Sequence, residues 1–309
     1  MFFFMIALST EKRLVARPRA DIRHILGERL GWRARIPFEW ARDLQQVCRG
    51  QLPKEQKVAV LRSMTALYLR RLCQNVHKPI TFSLLNFRVS AFSLDALSFL
   101  YKEIFLGLEY YFESKNKRPF IIDCGSNIGM SILFFKTVYP DASILGFEPA
   151  PDSFGLLKRN VEANQLTNVT VYPLALGYTE GTVKFFLEEE PGGFVASTDA
   201  RRVSKREETV EMMRLSRFVD REVDFLKLDV EGAEGAVLDD LVQTGCIRRI
   251  SQMVVEYHHH LDGCDDRFSD FLLQLERNGF GYLIRSDLGP SRTQGRFQDI
   301  LVYAYRKDS

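Results

Sequence analysis

Apolar runs alternate with turn residues over positions 120–148, which read FIIDCGSNIGMSILFFKTVYPDASILGFE. The run 120–122 has the unbroken apolar character of a strand that is buried on both faces of a parallel sheet. A glycine-containing turn follows, and apolar side chains then recur every three or four positions over 128–135, as on one face of a helix. A second apolar run, 143–147, ends at an acid, Glu148. This pattern predicts strand, turn, helix and strand, which is the repeating unit of an α/β fold.

The same alternation of strand and helix patterns continues to the C-terminus. It predicts right-handed crossovers and a doubly wound, Rossmann-like sheet that is mostly parallel. The last two strand patterns are expected to pair antiparallel, and the polar stretch 188–208 is expected to be a loop because it contains a Pro-Gly-Gly sequence. The predicted later strands are 168–174, 182–187, 223–228, 250–257, 281–285 and 299–305.

Residues 1–80 differ in pattern and are predicted to form a helical region that precedes an α/β domain at 81–309. The clearest helix pattern spans about 56–73 and ends before Pro79. Its broad apolar face is expected to pack on the α/β domain, and 82–89 is expected to be a short strand or an extended segment. The residues assigned to that face are Val58, Leu61, Met64, Leu67, Tyr68, Leu69 and Leu72.

The glycine turn indicates which ligand the α/β domain binds. A dinucleotide-binding turn needs G-x-G-x-x-G, but Asn127 and Met130 stand where the second and third glycines should be. No Gly-Lys-Ser/Thr follows, so a P-loop is also excluded. The turn from Asp123 to Gly129 has the form D-x-G-x-N-x-G, which resembles the first motif of S-adenosylmethionine (SAM) dependent methyltransferases. Glu148 then suits the two ribose hydroxyls, because an ionised carboxylate accepts two hydrogen bonds side by side.

Four more segments make the resemblance more specific. They are FEPAPDSFGLLKRNVEAN (147–164), LALGYTEGTVKFF (174–186), FLKLDVEGAEGAVL (225–238) and VVEYH (254–258). In this order, and with the glycine turn, they resemble the FkbM-type methyltransferase family over roughly residues 87–305. The resemblance implies a seven-stranded methyltransferase sheet, SAM as cofactor, and methylation of an oxygen on a sugar, a polyketide or another small molecule. The cofactor-binding residues expected are Asp123, Gly125, Ser126, Asn127, Gly129, Glu148, Pro149, Ala175, Leu176 and Asp229.

Acids and a histidine at two predicted strand ends are the candidates for catalysis. Asp229 follows the fourth predicted strand, while Glu256 and His258 end the fifth on one face, because residues two apart in a strand point the same way. A hydroxyl is a poor nucleophile until it loses its proton, so one of these groups is expected to act as base or to orient the acceptor. The three could also chelate a divalent ion, but without compact ligand spacing no metal is expected. For Glu231 and Glu234, favourable interaction with a helix N-terminus and a functional role are equal alternatives.

The net charge of +2 conceals an uneven distribution. Residues 1–80 hold 16 Lys/Arg and 6 Asp/Glu, a balance of +10, and the remainder holds 26 and 34, a balance of −8. Docking of the basic region on the acidic domain is the favoured interpretation, and recruitment of an anionic partner such as membrane lipid is the alternative. Nucleic-acid binding is not expected, because the arginines are scattered and no aromatic stacking platform is evident.

The N-terminal MFFFMIALST and the cysteines bear on location. Its eight apolar residues are too few to span a bilayer, and no basic residue precedes them as in a signal peptide, so a buried or membrane-touching leader is expected. Five scattered cysteines without a C-x-x-C favour reduced thiols and a cytoplasmic protein. The rivals to a methyltransferase are a non-catalytic protein that holds an anionic partner and a nicotinamide-linked oxidoreductase.

Overall fold

A computed structural model describes most of the chain. The described residues are 35–50, 52–73, 77–187, 196–197, 206–259, 267–286 and 298–307. The apolar N-terminal leader and most of the stretch 188–208, for which a loop was predicted, lie outside the described residues. No helix in the described part of the chain is both long enough and apolar enough to cross a membrane.

Helices and a hairpin form the N-terminal part of the described chain. They are α1 (Ile36–Arg49), α2 (Lys54–Cys73), β1 (Ile80–Leu84), β2 (Phe87–Ala91) and α3 (Leu94–Tyr101), which continues as a π-helical turn at Lys102–Leu106. Strands β1 and β2 pair antiparallel. The segment 82–89, which was expected to be one short strand or extended, is therefore a hairpin with its turn at 85–86.

A seven-stranded sheet forms the centre of the molecule. The remaining elements are β3 (Phe120–Cys124), α4 (Met130–Val138), β4 (Ser143–Phe147), α5 (Pro151–Ala163), β5 (Val169–Tyr172), β6 (Leu174–Leu176), β7 (Gly181–Leu187), β8 (Ala196–Ser197), β9 (Arg206–Met213), β10 (Val223–Leu228), α6 (Glu234–Gln243), β11 (Ile250–His259), α7 (Phe268–Arg277), β12 (Phe280–Ser286) and β13 (Gln298–Arg306). The central sheet has the order β12-β13-β11-β10-β3-β4-β5. All neighbours are parallel except β13, which pairs antiparallel with both β11 and β12. The predicted α/β class and the antiparallel C-terminal pair are confirmed.

Both faces of the central sheet are buried. Neighbouring residues of β3 point to opposite faces, and each face packs against its own hydrophobic cluster. Ile121 belongs to one hydrophobic cluster with Ile132 and Phe135 of α4. Ile122 belongs to a second cluster with Leu238 of α6 and other residues of that face. The unbroken apolar runs in the sequence therefore mark strands that are covered by helices on both sides, and they place β3 and β10 at the middle of the sheet.

A second sheet of four strands, in the order β6-β9-β7-β8, was only partly foreseen. The predicted strand 168–174 divides at Pro173, which has no backbone N–H to donate to a ladder. The part before Pro173 joins the central sheet as β5, and the part after it joins the second sheet as β6. The prediction of a loop throughout 188–208 is wrong for β8 and for the start of β9. The pattern of β9 is weak because only Val210 and Met212 are buried, among charged neighbours.

Helices α1 and α2 share a hydrophobic cluster with the helices of the α/β domain. Val60 and Leu67 are buried in this cluster, which also contains Phe134 of α4, and the Tyr101 hydroxyl donates a hydrogen bond of 2.8 Å to the carbonyl of Val60. The predicted inner face of α2 is wrong in part, since Val58, Leu69 and Leu72 are exposed. Helix α2 is apolar over much of its circumference, so its packing against α1 and α3, and not its own pattern, decides which face is covered. A domain boundary at residue 80 stays a prediction.

Candidate active site

Two glycines in the left-handed region shape the turn after β3. Gly125 has φ +86° and Gly129 has φ +90°. A Cβ atom on Gly125 would lie 1.9 Å from the carbonyl oxygen of Asp229, and one on Gly129 would lie 2.8 Å from the Leu157 side chain. Asn127 between them has φ +48°, which asparagine adopts more readily than most residues. The D-x-G-x-N-x-G pattern thus matches a backbone that has to pass close to β10 and α5.

Glu148 follows β4 and reaches back to the glycine turn, as the sequence predicts. Its Oε2 atom accepts a hydrogen bond of 2.8 Å from the Asn127 N–H, and its Oε1 atom accepts one of 2.8 Å from the Ala150 N–H. Burial raises the pKa of Glu148 to about 7 in spite of these hydrogen bonds. The two bonds fix the carboxylate in place and leave each oxygen a second lone pair for a ligand.

Asp123 is fully buried at the end of β3. Its Oδ2 atom accepts a hydrogen bond of 2.6 Å from the Ser131 hydroxyl, while the buried Ser126 hydroxyl donates one of 3.0 Å to the Asp123 carbonyl. The Oδ1 atom lies 3.6 Å from Nζ of Lys227 and has no hydrogen-bond partner in the described structure. Burial raises the pKa of Asp123. One oxygen of this carboxyl is therefore held in place, and the other is available as an acceptor.

Lys227 joins the two sides of the site, and the sequence analysis missed it. Its side chain is buried, its Nζ donates hydrogen bonds to the Gly125 carbonyl at 2.7 Å and to Asp229 Oδ2 at 3.0 Å, and it lies 4.9 Å from the centre of the Tyr110 ring. Burial alone would lower the pKa of Lys227, but Asp229 and Asp123 outweigh it and the pKa is raised. The available signal was a lysine inside the apolar run FLKLD, since a charge in a buried strand needs partners.

Asp229 and Glu256 stand at the same edge of the central sheet, as the sequence predicts. Leu228 of β10 pairs in register with Cys124 of β3 and Val255 of β11, and the two acids follow Leu228 and Val255 directly. The Asp229 N–H donates a hydrogen bond of 3.1 Å to the Cys124 carbonyl. Burial and the charge of Asp229 raise the pKa of Glu256 well above its usual range.

His258 is held between two carboxylates. Its Nδ1 lies 2.8 Å from Glu234 Oε1, and its Nε2 lies 3.0 Å from Glu231 Oε2. Burial alone would lower the pKa of His258, but Glu234 and Glu231 outweigh it and raise that pKa well above the usual range. An imidazolium has no lone pair with which to accept a proton, so His258 can act as the base only after it loses its own proton, and that role stays a prediction.

Glu234 is more than a favourable charge at a helix N-terminus. It is buried, and its Oε1 accepts hydrogen bonds from the N–H groups of Val230 at 3.2 Å and Gly232 at 2.9 Å. Burial opposes its charge, but His258 and these N–H groups lower the pKa of Glu234. Glu231 has φ +58° in the same turn. The structure places both glutamates against His258, so a position at a helix N-terminus and a part in the site are compatible.

The segment after α3 brings two further carboxylates to this edge. Burial and the nearby Glu109 raise the pKa of Glu103 to about 8, and Glu109 Oε1 lies 3.8 Å from the Arg285 guanidinium. The π-helical turn brings the Gly107 backbone close to the Glu103 carbonyl, 2.5 Å from where a Cβ would be, and Leu108 follows with φ +55°. No sequence pattern marks these acids as part of the site, because they do not follow a strand.

Asn160 of α5 ties the glycine turn to the hairpin, and it was also missed. Its Oδ1 accepts a hydrogen bond of 2.7 Å from the Ser90 N–H, and its Nδ2 donates bonds of 3.0 Å to the Ser90 carbonyl and 2.8 Å to the Ile128 carbonyl. The helical pattern around Asn160 carries no sign of these contacts, because its burial follows from the packing of α5 against the hairpin. Asn160 positions the turn through its backbone.

The other predicted cofactor residues border the Glu148 side. Ala175 and Leu176 are buried in β6 of the second sheet, and Ala175 shares a small apolar cluster with Ala150, which adjoins the half-buried Pro149. They follow Pro173, as the sequence placed them, although β6 is not part of the central sheet. Their role against the adenine stays a prediction.

Comparison with known proteins identifies the family. Residues 123–282 match the family of the methyltransferase FkbM domain. Methyltransferase 1 of Beauveria bassiana is 32% identical over 219 residues, which cover 63% of this chain and 85% of the relative. The 31-O-demethyl-FK506 methyltransferase FkbM of Streptomyces tacrolimicus is 28% identical over 222 residues, covering 61% of this chain and 84% of the relative. The hexuronic acid methyltransferase AglP of Haloferax volcanii is 28% identical over 148 residues, covering 46% of this chain and 57% of the relative.

The match spans the glycine turn, Glu148, Asp229 and the strand that carries Glu256 and His258. Its extent excludes the nicotinamide-linked oxidoreductase and agrees with the order of motifs in the sequence. The predicted family is therefore confirmed, and with it the cofactor, S-adenosylmethionine. This chain is a methyltransferase and belongs to the family defined by the methyltransferase FkbM domain.

Proposed function

We propose that this chain is an O-methyltransferase whose acceptor is a hydroxyl group of a small molecule or a sugar. The observation that carries the proposal is the position of Asp229 and Glu256, which stand together at the carboxyl edge of the sheet beside the glycine turn. Ligands of open α/β sheets bind at this edge. Two relatives are named for 31-O-demethyl-FK506 and for hexuronic acid, which supports a small molecule or a sugar as the acceptor.

The residues around the turn fit SAM, which supplies a methyl group bonded to a positively charged sulfur. Gly125 and Gly129 have no side chains that would keep a ligand away from the backbone. Glu148 has a free lone pair on each oxygen for the two ribose hydroxyls. Asp123 has a buried oxygen without a hydrogen-bond partner, which suits a donor such as the amino group of SAM.

Glu256 is the group that we assign as the proton acceptor. It lies next to Asp229 at the carboxyl edge of the sheet, and it can accept a proton only in its ionised form. Because burial and Asp229 raise the pKa of Glu256, turnover through this base should increase as the pH rises. Asp229 is held by Lys227 at 3.0 Å and is suited to orient the acceptor or the amino group of SAM. In the metal-free protein His258 is held between Glu231 and Glu234, and we assign it to supporting the turn on which Glu231 lies rather than to accepting the proton.

The test uses SAM with an isotopically labelled methyl group. The purified chain is incubated with labelled SAM and fractionated metabolite and glycan extracts, and the labelled product is analysed for the atom that carries the methyl group. We expect an ether linkage to oxygen. Label found on nitrogen or carbon would overturn the O-methyltransferase proposal.

A pair of variants tests the assigned base. Glu256→Gln should reduce turnover with the acceptor found in that screen by roughly 10²-fold or more, while calorimetry shows SAM affinity kept. Glu113→Gln, an exposed acid outside the site, is the matched control and should leave turnover unchanged. Undiminished turnover in Glu256→Gln would remove Glu256 from this role.

Recruitment of an anionic partner by residues 1–80, in addition to methyl transfer, is a second proposal, favoured by the positive balance of this region. Some cations of this region already have acidic neighbours, such as Arg71 with Asp95 at 3.3 Å. Lys102 of the π-helical turn pairs with Glu39 of α1 at 2.8 Å, which supports docking. The absence of nucleic-acid binding, weak membrane contact through the basic N-terminus and a cytoplasmic location stay predictions.

A further inference from the structure

We propose that Asp229, Glu231 and His258 form a binding site for a divalent cation. One ligand atom from each of the three residues lies within 4.8 Å of the other two. The residues come from the end of β10, the turn that follows it and β11, and they meet only because β10 and β11 are neighbours in the sheet. The sequence led us to expect no metal, since 27 positions separate Glu231 from His258.

The separation of the ligand atoms fits a six-coordinate ion. His258 Nε2 lies 3.0 Å from Glu231 Oε2. Around an octahedral ion with bonds of about 2.1 Å, neighbouring ligand atoms are roughly 3 Å apart and opposite ones about 4 Å apart. An ion can therefore take the place of the Nε2 proton, which is released to solvent, and bridge Nε2 and Glu231 without a large movement of either side chain.

The imidazole is oriented from behind by a residue that is not itself a ligand. Glu234 is 1% exposed, and its Oε1 holds His258 Nδ1 at 2.8 Å while two backbone N–H groups hold Oε1 in place. Metal-binding histidines usually donate their second N–H to a carboxylate in this way. The arrangement fixes the ring so that Nε2, the remaining nitrogen, faces Asp229 and Glu231. This contact between Glu234 and Nδ1 does not involve Asp229 or Glu231 and supports the site independently of them.

Two further acids lie near the same nitrogen of His258. Glu256 and Asp299 form a second group with His258 in which ligand atoms again lie within 4.8 Å, and Asp299 Oδ1 is 3.8 Å from Nε2. Asp299 is 48% exposed, so this side opens to solvent and leaves room for water ligands. Oxygen ligands with one imidazole and an open side favour Mg²⁺ or Mn²⁺ over a closed tetrahedral zinc site.

A cation at this place would lie beside the proposed acceptor site. A catalytic role for the cation therefore rests on the proposed O-methyltransferase function. It would draw electron density from an acceptor hydroxyl and make its proton easier to remove. Binding itself does not depend on that function, because it requires no acceptor and no methyl transfer.

The experiment measures Mn²⁺ binding to the full chain after dialysis against a chelator. Electron paramagnetic resonance of free Mn²⁺ and calorimetry should show saturable binding of one ion per chain, which Mg²⁺ displaces. His258→Gln and Glu231→Gln should each weaken binding at least tenfold, and the exposed control Glu113→Gln should not. Circular dichroism and SAM affinity verify that each variant is folded.

Several outcomes would overturn the proposal. They are no saturable Mn²⁺ binding at millimolar concentration, and binding that survives both His258→Gln and Glu231→Gln in folded protein. Binding that is lost in Asp299→Asn but kept in Glu231→Gln would assign the ion to the second group instead. If Mn²⁺ binds as expected but labelled methyl transfer is equally fast in metal-free protein, the O-methyltransferase proposal stands and the catalytic role of the cation is rejected.

Discussion

The cofactor side and the acceptor side of the site are built by different means. On the cofactor side, one continuous turn, Asp123–Gly129, supplies the backbone, and Glu148 is the main side chain added from elsewhere. On the acceptor side, charged side chains from separate segments meet at one sheet edge, where they form ion pairs or shift each other's pKa. They are Glu103, Glu109, Lys227, Asp229, Glu231, Glu234, Glu256 and His258. The cofactor side thus depends on backbone conformation, whereas the acceptor side depends on electrostatic balance.

Gly125→Ala should have the largest effect, because it changes the backbone of the cofactor side. The new Cβ would lie 1.9 Å from a main-chain oxygen, at φ +86°, and no side-chain movement can relieve that contact. We expect a loss of about 4 kcal/mol or more in the free energy of unfolding, or loss of SAM binding where the chain still folds. Gly245→Ala is the matched control, with φ +76° and open space, and should lose only about 1–2 kcal/mol. Equal losses in urea unfolding would show that the close approach to Asp229 does not matter.

Lys227→Met tests the link between the two sides. Without the ammonium group, Asp123 and Asp229 lose their shared cation, and removal of one partner from a buried ion pair typically costs about 3–5 kcal/mol. Lys184→Met removes a lysine from an exposed pair with Glu207 and should cost less than about 1 kcal/mol. Urea unfolding of both variants gives the comparison, and a small loss for Lys227→Met would mean that the carboxylates neutralise themselves instead.

Glu148 should make the protein without SAM less stable as the pH rises. Burial raises its pKa from 4.5 to about 7, so the folded state binds more protons than the unfolded state between these values. Stability from this group is therefore present below pH 4.5 and is lost as the pH rises to about 7, by about 3 kcal/mol at most. Glu148→Gln should remove this part of the pH dependence in urea unfolding at pH 5 and pH 8. An unchanged slope would show that Glu148 is ionised throughout.

Glu148→Ala should have the smallest free-energy effect of the four, and it acts on the ligand. Loss of hydrogen bonds to two ribose hydroxyls should lower SAM affinity about tenfold or somewhat more, because water replaces part of each bond and the net contribution of a hydrogen bond is about 0.5–1.5 kcal/mol. Calorimetry with SAM measures this, and Glu162→Ala on the exposed face of α5 is the control. Unchanged affinity would place the ribose elsewhere and weaken the contrast between the two sides.

The two sides were not equally predictable. The turn and Glu148 were found because a local pattern of glycines, asparagine and strand-ending acids needs no distant partner to be recognised. Asp229, Glu256 and His258 were found because they end strands, but the sequence did not show which groups surround His258. Its clamp by Glu231 and Glu234 raises its pKa, and that depends on how the turn after β10 meets β11. Glu103 and Asn160 lie in helical patterns that carry no sign of the contacts they make.

The sequence by itself determined the α/β class, the order of the motifs and the cofactor turn, because these follow from apolar periodicity and from backbone conformations that only certain residues adopt. The tertiary structure alone decided which face of α2 is buried, that Pro173 sends the chain into a second sheet, and which charges meet at the acceptor edge. Side chains far apart in the chain acquire their protonation state from burial and from each other. Neither the burial of a side chain nor the set of charges around it can be read from any one position of the sequence.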